Sequence, residues 1–161
     1  MGTKSIYRQN TLPWRDIFLV VASALILILF TYASLSKLIA YQKFIGEMNN
    51  QPIPKSWTPF LVRFIPSAEL AVGVLLAFDR ARILGFLVSA VFMLVFTVYT
   101  VVILLHGFDY IPCTCGGMIR ALSWPQHLWL NSFFLLLSLA GLLMEIKKRQ
   151  ETRENRRSIQ R

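Results

Sequence analysis

Cys113 and Cys115 are the chain's only two cysteines and stand a single residue apart. They lie in the run Ile111, Pro112, Cys113, Thr114, Cys115, Gly116, Gly117, Met118. A disulfide closed over one intervening residue has poor geometry, and strained disulfides are easier to reduce. The loop it closes is tiny, so it stabilises little. Reversible dithiol/disulfide exchange is therefore the leading reading, with one thiolate attacking and the other resolving. A metal site is the alternative, with His106 and Met118 as further donors beside the two thiols, since soft sulfur favours Cu(I) or Zn. The spacing matches no zinc motif of the C-x₂₋₄-C kind. An inert structural pair is the third reading. His106 and His127, taken singly, are half-buried interfacial residues.

Three further polar residues fall where apolar ones are expected. Glu69 is a carboxylate inside an otherwise apolar run, and such a group in a membrane is usually paired or functional. Lys37 closes the run before it. A Lys37–Glu69 pair that sets helix packing is one expectation. A neutral Glu69, or one favoured by a helix N-terminus, is another, and a proton relay is a third. Asn131 is expected to make an interhelical hydrogen bond. Ser34, Ser36 and Gly73 are small enough to let helices approach.

The elements that carry these residues follow from composition. Of 161 residues, 55% are hydrophobic and 16% charged, against roughly 25% charged in a typical globular chain. Mean hydropathy is +0.54. Disorder is excluded, because it needs low hydrophobicity and high charge. The net charge of +9 does not indicate nucleic acid, because the charges sit at the ends of long apolar runs. Ile17 to Ser36 holds 20 uncharged positions, Ile83 to Leu105 holds 23 and Leu128 to Met144 holds 17. A spanning helix needs ~20 such residues. The run between Arg63 and Asp79 is shorter and contains Pro66. It spans if the helix begins near Pro59 and Pro66 kinks it; otherwise Pro66 starts a shorter helix. The runs are continuous and Leu-rich rather than period-two, which favours helices over a β-barrel. The first run is too long for a signal-peptide core and lacks a small-residue cleavage site, so it is expected to stay as a helix.

The predicted fold is all-α: an integral membrane four-helix bundle with helices at about 16–39, 59–78, 83–105 and 127–145. Lys and Arg divide unevenly, with 12 of the 17 at the end carrying both termini and the 79–82 turn. By the positive-inside rule both termini are cytoplasmic. Residues 1–15 form a cytoplasmic N-terminus, 16–145 the membrane domain, and 146–161 a basic cytoplasmic tail into which the last helix can continue. The cysteine loop between the third and fourth spans is then extracytoplasmic, on the periplasmic side of a bacterial inner membrane, where disulfides persist. Trp14, Trp57, Trp124 and Trp129 are expected at the interfaces.

Three stretches resemble the MauE branch of the DoxX-like membrane proteins. Tyr32 to Leu38 is similar to that family's "YaSGlsKL" end of the first helix. Ile65 to Leu70, with Gly73, is similar to its "lPxxElxxG" segment, and Cys113 to Gly117 to its "CGCFG" loop. They occur in family order, and the resemblance covers about residues 15 to 145. Thr114 replaces the glycine between the cysteines, and Gly117 replaces the Phe. The resemblance implies a four-helix membrane bundle with a redox-associated role, linked to disulfide formation during maturation of periplasmic methylamine dehydrogenase, in a wider family of quinone-linked oxidoreductases. Self-contained quinone-linked disulfide generators use two cysteine pairs, and this chain has one. A periplasmic thioredoxin-like or other dithiol partner must supply the second pair, or a quinone must meet this pair directly. Arg120 and His127 are the candidate quinone contacts. The expected function is thus thiol–disulfide oxidoreduction. The alternatives are a non-catalytic subunit packed against other membrane subunits and a Cu(I)-handling protein.

Overall fold

A computed structural model describes residues 14–105, 107 and 123–160. Five α-helices are present among them: α1 (Trp14–Ile39), α2 (Tyr41–Asn49), α3 (Thr58–Ala77), α4 (Arg82–Leu104) and α5 (Trp124–Ile159), with a 3₁₀ turn at Lys55–Trp57 before α3. No strand occurs among the described residues. Helices α1, α3, α4 and α5 are each long and apolar enough to cross a membrane. They are the four expected spans.

Helix ends follow local chemistry. Pro59 sits in the first turn of α3, where its missing N–H costs nothing. Pro66 lies inside α3, and the helix continues through it, which decides between the two readings of that run. At the start of α5, the Ser123 N–H donates to Gln126 Oε1 at 2.8 Å, with Pro125 in the first turn. The 79–82 turn forces α3 and α4 into an antiparallel hairpin, and the Ala81 N–H closes it on the Phe78 carbonyl at 3.0 Å. Short α2, a helix absent from the sequence-based expectation, lies in the connection between the first two spans. Its Phe44 and Met48 pack with Val62 of α3.

The four long helices form a ring in the order α1, α3, α4, α5, each antiparallel to its neighbours. The core runs down the middle through Leu19, Ile26, Phe30, Val72, Leu76, Phe86, Met93 and Phe134. The outside is also apolar, with Val20, Ile28, Val74, Val91, Val98 and Leu136 all exposed. Such a surface belongs in lipid, where the hydrophobic effect does not drive helices together and close packing and polar contacts must. Both are present. An added Cβ on Gly73 of α3 would meet Thr31 Oγ1 of α1 at 3.0 Å, and one on Gly85 of α4 would meet Leu76 Cδ2 of α3 at 2.8 Å. Ser34 donates to the Pro66 carbonyl at 2.8 Å, and the Ser89 and Ser138 hydroxyls bond at 2.6 Å between α4 and α5.

The end with the 79–82 turn is tied by charge. Arg149 donates to Glu145 Oε1 at 3.1 Å and reaches the carbonyls of Asp79 and Arg80 at 2.6 and 3.1 Å. Arg82 pairs with Asp79. Lys148 meets Asp16 at 2.8 Å, and Arg15 meets Glu151 at 2.7 Å. The basic stretch after residue 145 continues α5, and its first turns lock α1 and the α3–α4 turn.

Candidate functional site

The polar residues within the spans converge near the opposite end of the bundle. Lys37 lies in the last turn of α1, and Glu69 sits mid-way along α3. The antiparallel packing of α1 on α3 brings them together. Lys37 Nζ donates to Glu69 Oε1 at 2.7 Å and Oε2 at 3.0 Å, with a longer 3.4 Å contact to the Ala33 carbonyl. Both are buried, Lys37 at 7% and Glu69 at 2% exposure. Coulomb attraction in such a site is strong, and so is the cost of desolvating either partner alone. All three ammonium protons have an acceptor. The carboxylate receives bonds only from Lys37 among the described residues, so lone pairs remain on its oxygens.

The pair borders a cavity of about 320 Å³. Phe30 and Ala33 of α1, Ile65 of α3, and Met93 and Phe96 of α4 give it apolar walls, and Phe44, Met48 and Gln51 close on it from α2 and the residue chain after it. On the α4–α5 side it is lined by Tyr99, Thr100, Trp124, His127 and Asn131. Tyr99 donates its hydroxyl to Gln51 Oε1. Thr100 donates to the Phe96 carbonyl at 2.8 Å, and Asn131 Nδ2 lies 3.4 Å from Thr100 Oγ1 between the two helices. His127 Nδ1 is 3.2 Å from the Ser123 carbonyl, and its ring lies beside that of Trp124. The cavity is therefore apolar along its middle, with an internally neutralised ion pair on one wall and neutral hydrogen-bonding groups on the other.

Four of the residues singled out from sequence, Lys37, Glu69, His127 and Asn131, line this one cavity. Cys113, Cys115, Arg120, His106 and Met118 lie outside the described residues, as do Lys4 and Arg8 of the N-terminus. Among the described residues no group of His, Cys, Asp and Glu is arranged to hold a metal ion. Trp14, Trp57 and Trp129 are exposed on the bundle surface, whereas Trp124 turns to the cavity. Sequence reasoning did not select Gln51, Tyr99 or Thr100. A hydroxyl side chain or a glutamine among apolar neighbours is a faint signal, and only the neighbouring helix gives it meaning.

Four long helices with apolar outer faces, around a largely apolar cavity that carries an ion pair on one wall, define a multi-pass integral membrane protein rather than a soluble bundle. The family described as "Methylamine utilisation protein MauE" matches residues 15–144 of the chain. The match includes all of α3 and α4, most of α1 and the apolar part of α5, and the chain belongs to that family. No curated protein and no solved structure matches it.

Proposed function

We propose that this protein exchanges thiol and disulfide equivalents between its Cys113/Cys115 pair and a thioredoxin-like partner on the periplasmic face of a bacterial inner membrane. The observation that carries this reading is positional. The described residues on either side of the cysteine segment, the end of α4 and Ser123, adjoin Tyr99, Thr100, Trp124 and His127 of the cavity wall. In the exchange, a thiolate of the partner attacks one sulfur of the Cys113–Cys115 disulfide and the S–S bond breaks. The partner's second thiol then displaces the mixed disulfide. The partner leaves with a new disulfide, and two electrons and two protons remain on Cys113 and Cys115. A membrane quinone supplies the matching two-electron, two-proton sink.

The test is acid trapping of cells followed by alkylation and non-reducing electrophoresis of the wild type, Cys113→Ser and Cys115→Ser. Exchange is reversible, so the one cysteine left in each single variant attacks the disulfide of an oxidised partner. Without the second cysteine to release it, the variant is expected to accumulate a mixed disulfide with a periplasmic protein. The wild-type disulfide should open under mild reductant, at a potential above the roughly −300 mV typical of structural bonds. Thiols that stay reduced with no adduct, or a bond that resists mild reductant, overturn the reading. A stoichiometric complex that survives both substitutions would instead indicate a structural subunit. Bound copper lost in both variants would indicate Cu(I) handling.

The orientation behind this proposal is separately checkable. Reporter fusions at residues 50 and 115 are expected to read periplasmic, and fusions at 81 and 155 cytoplasmic. A cytoplasmic reading at 115 removes the redox role as well, because disulfides do not persist there.

A further inference from the structure

We infer that the cavity beside the Lys37–Glu69 pair is the seat of a quinone head group. This rests on the thiol-exchange reading for its purpose, but the site is argued from the cavity itself. The volume of about 320 Å³ falls at the lower end of the ligand-pocket range of roughly 300–1,000 Å³, room for one substituted ring. One lining residue, Val95, is 59% exposed on the bundle's apolar outer surface, so the cavity adjoins the side from which a lipid-borne molecule arrives.

The polar groups select the class. Because Lys37 is matched by Glu69, the wall carries no net charge to attract a phosphate or fatty-acid carboxylate. It offers an ammonium proton held only by the long 3.4 Å contact to the Ala33 carbonyl, and carboxylate lone pairs that Lys37 does not fill. A ring carbonyl can take the first as acceptor, and a ring hydroxyl can donate to the second. Thr100 and Asn131 stand on the α4–α5 wall of the same cavity, where they offer a hydroxyl and an amide to an oxygen on the ring's other edge. A neutral, lipid-soluble ring with an oxygen on each of two opposite edges, carbonyl when oxidised and hydroxyl when reduced, meets these demands. Disulfide formation needs an acceptor of two electrons and two protons, which is the capacity of such a ring. The assignment adds Lys37, Glu69, Thr100 and Asn131 to the contacts expected from sequence, with His127 at the wall and Arg120 outside the described residues.

The test uses the full chain in detergent with Trp14, Trp57 and Trp129 changed to Phe, leaving Trp124 on the cavity wall as reporter. Decyl-ubiquinone is titrated and quenching recorded. Saturable quenching is expected. Asn131→Phe fills the cavity without touching the ion pair and should abolish it. Lys37→Met with Glu69→Leu removes the donor and acceptor together and should weaken binding about tenfold or more, the effect of losing a hydrogen bond to a charged group. Quenching that rises linearly without saturating, or that is unchanged in Asn131→Phe, overturns the assignment. The same titration in a Cys113→Ser, Cys115→Ser background separates the two proposals. Binding that persists there supports the site even if no thiol exchange is found. Mixed-disulfide formation by a protein that does not bind the quinone saturably overturns the site and leaves the exchange standing.

Discussion

Glu69→Gln is expected to lower the yield of folded protein and to destabilise it by about 3–5 kcal/mol, the scale for stranding one member of a fully buried ion pair. The change leaves the Lys37 ammonium with a neutral amide in place of two charged oxygens at 2.7 and 3.0 Å. Among the described residues Lys37 has no second anion to turn to, and it and Glu69 are buried between α1 and α3. Lys37→Met should cause a loss of similar size by stripping the carboxylate of its donor. Lys37→Met combined with Glu69→Leu should recover most of it, since apolar side chains of similar volume replace a buried pair at little cost. The check is a double-mutant cycle on thermal unfolding in detergent, with fluorescence-detected gel filtration for yield. Losses that add in the double variant would show that the two residues are not coupled. The cycle also tests the bundle's register. Among the described residues the pair is one of two polar side-chain ties between α1 and α3, the other being Ser34 to the Pro66 carbonyl.

Gly141→Ala is expected to destabilise the bundle by about 1–3 kcal/mol, the usual cost of overpacking a closed core. A Cβ at position 141 would stand 2.4, 2.6 and 2.8 Å from Cε1, Cζ and Cδ1 of Phe86. Phe86 is 0% exposed and belongs to the central core cluster, so its ring has no open side to retreat to. Helix α5 must then move off α4, which weakens the nearby Ser89–Ser138 contact of 2.6 Å. Gly141→Leu should abolish folding. Phe86→Leu, which shrinks the obstructing group, should restore part of the stability of Gly141→Ala. Thermal unfolding of the single and double variants reads all three effects. An Ala variant as stable as wild type would mean that α4 and α5 sit further apart than described.

Much of the architecture is legible along the chain because the bilayer is a demanding solvent. Every backbone polar group in lipid must be satisfied internally, so a run of about 20 apolar residues has little choice but to be a helix. That argument found the spans at α1, α4 and α5 directly. It found α3 through Pro59 and Pro66, although the sequence left open whether Pro66 interrupts or begins that helix. The continuous α3 settles the matter: Pro66 is buried against α1, and its carbonyl accepts from Ser34. Helix α2 was missed because its nine residues are near-neutral in hydropathy. Its apolar residues Tyr41, Phe44, Ile45 and Met48 do recur at helical spacing, a signal available in the sequence and not used, and Phe44 and Met48 pack on Val62. Gly85 and Ser89 lie four apart in the small-xxx-small pattern of membrane helix contacts, a signal available in the sequence and not used. Gly141 had no comparable mark, since what demands it is a ring on another helix.

The sequence alone determined that this chain is a membrane helical bundle, that Glu69 needs a partner or a purpose, and that its two cysteines stand one residue apart. These are one-dimensional facts, set by length, hydropathy and the cost of charge in lipid. The tertiary structure decided which residues share a site. Lys37 and Glu69 are 32 positions apart, and Thr100 and Asn131 are 31 apart. They line one cavity because antiparallel packing of α1 on α3 and of α4 on α5 sets their heights along the bundle axis. Helix rotation then turns them inward while their apolar neighbours face outward. Spacing in sequence carries no information about that rotation, which close packing at positions such as Gly73, Gly85 and Gly141 decides.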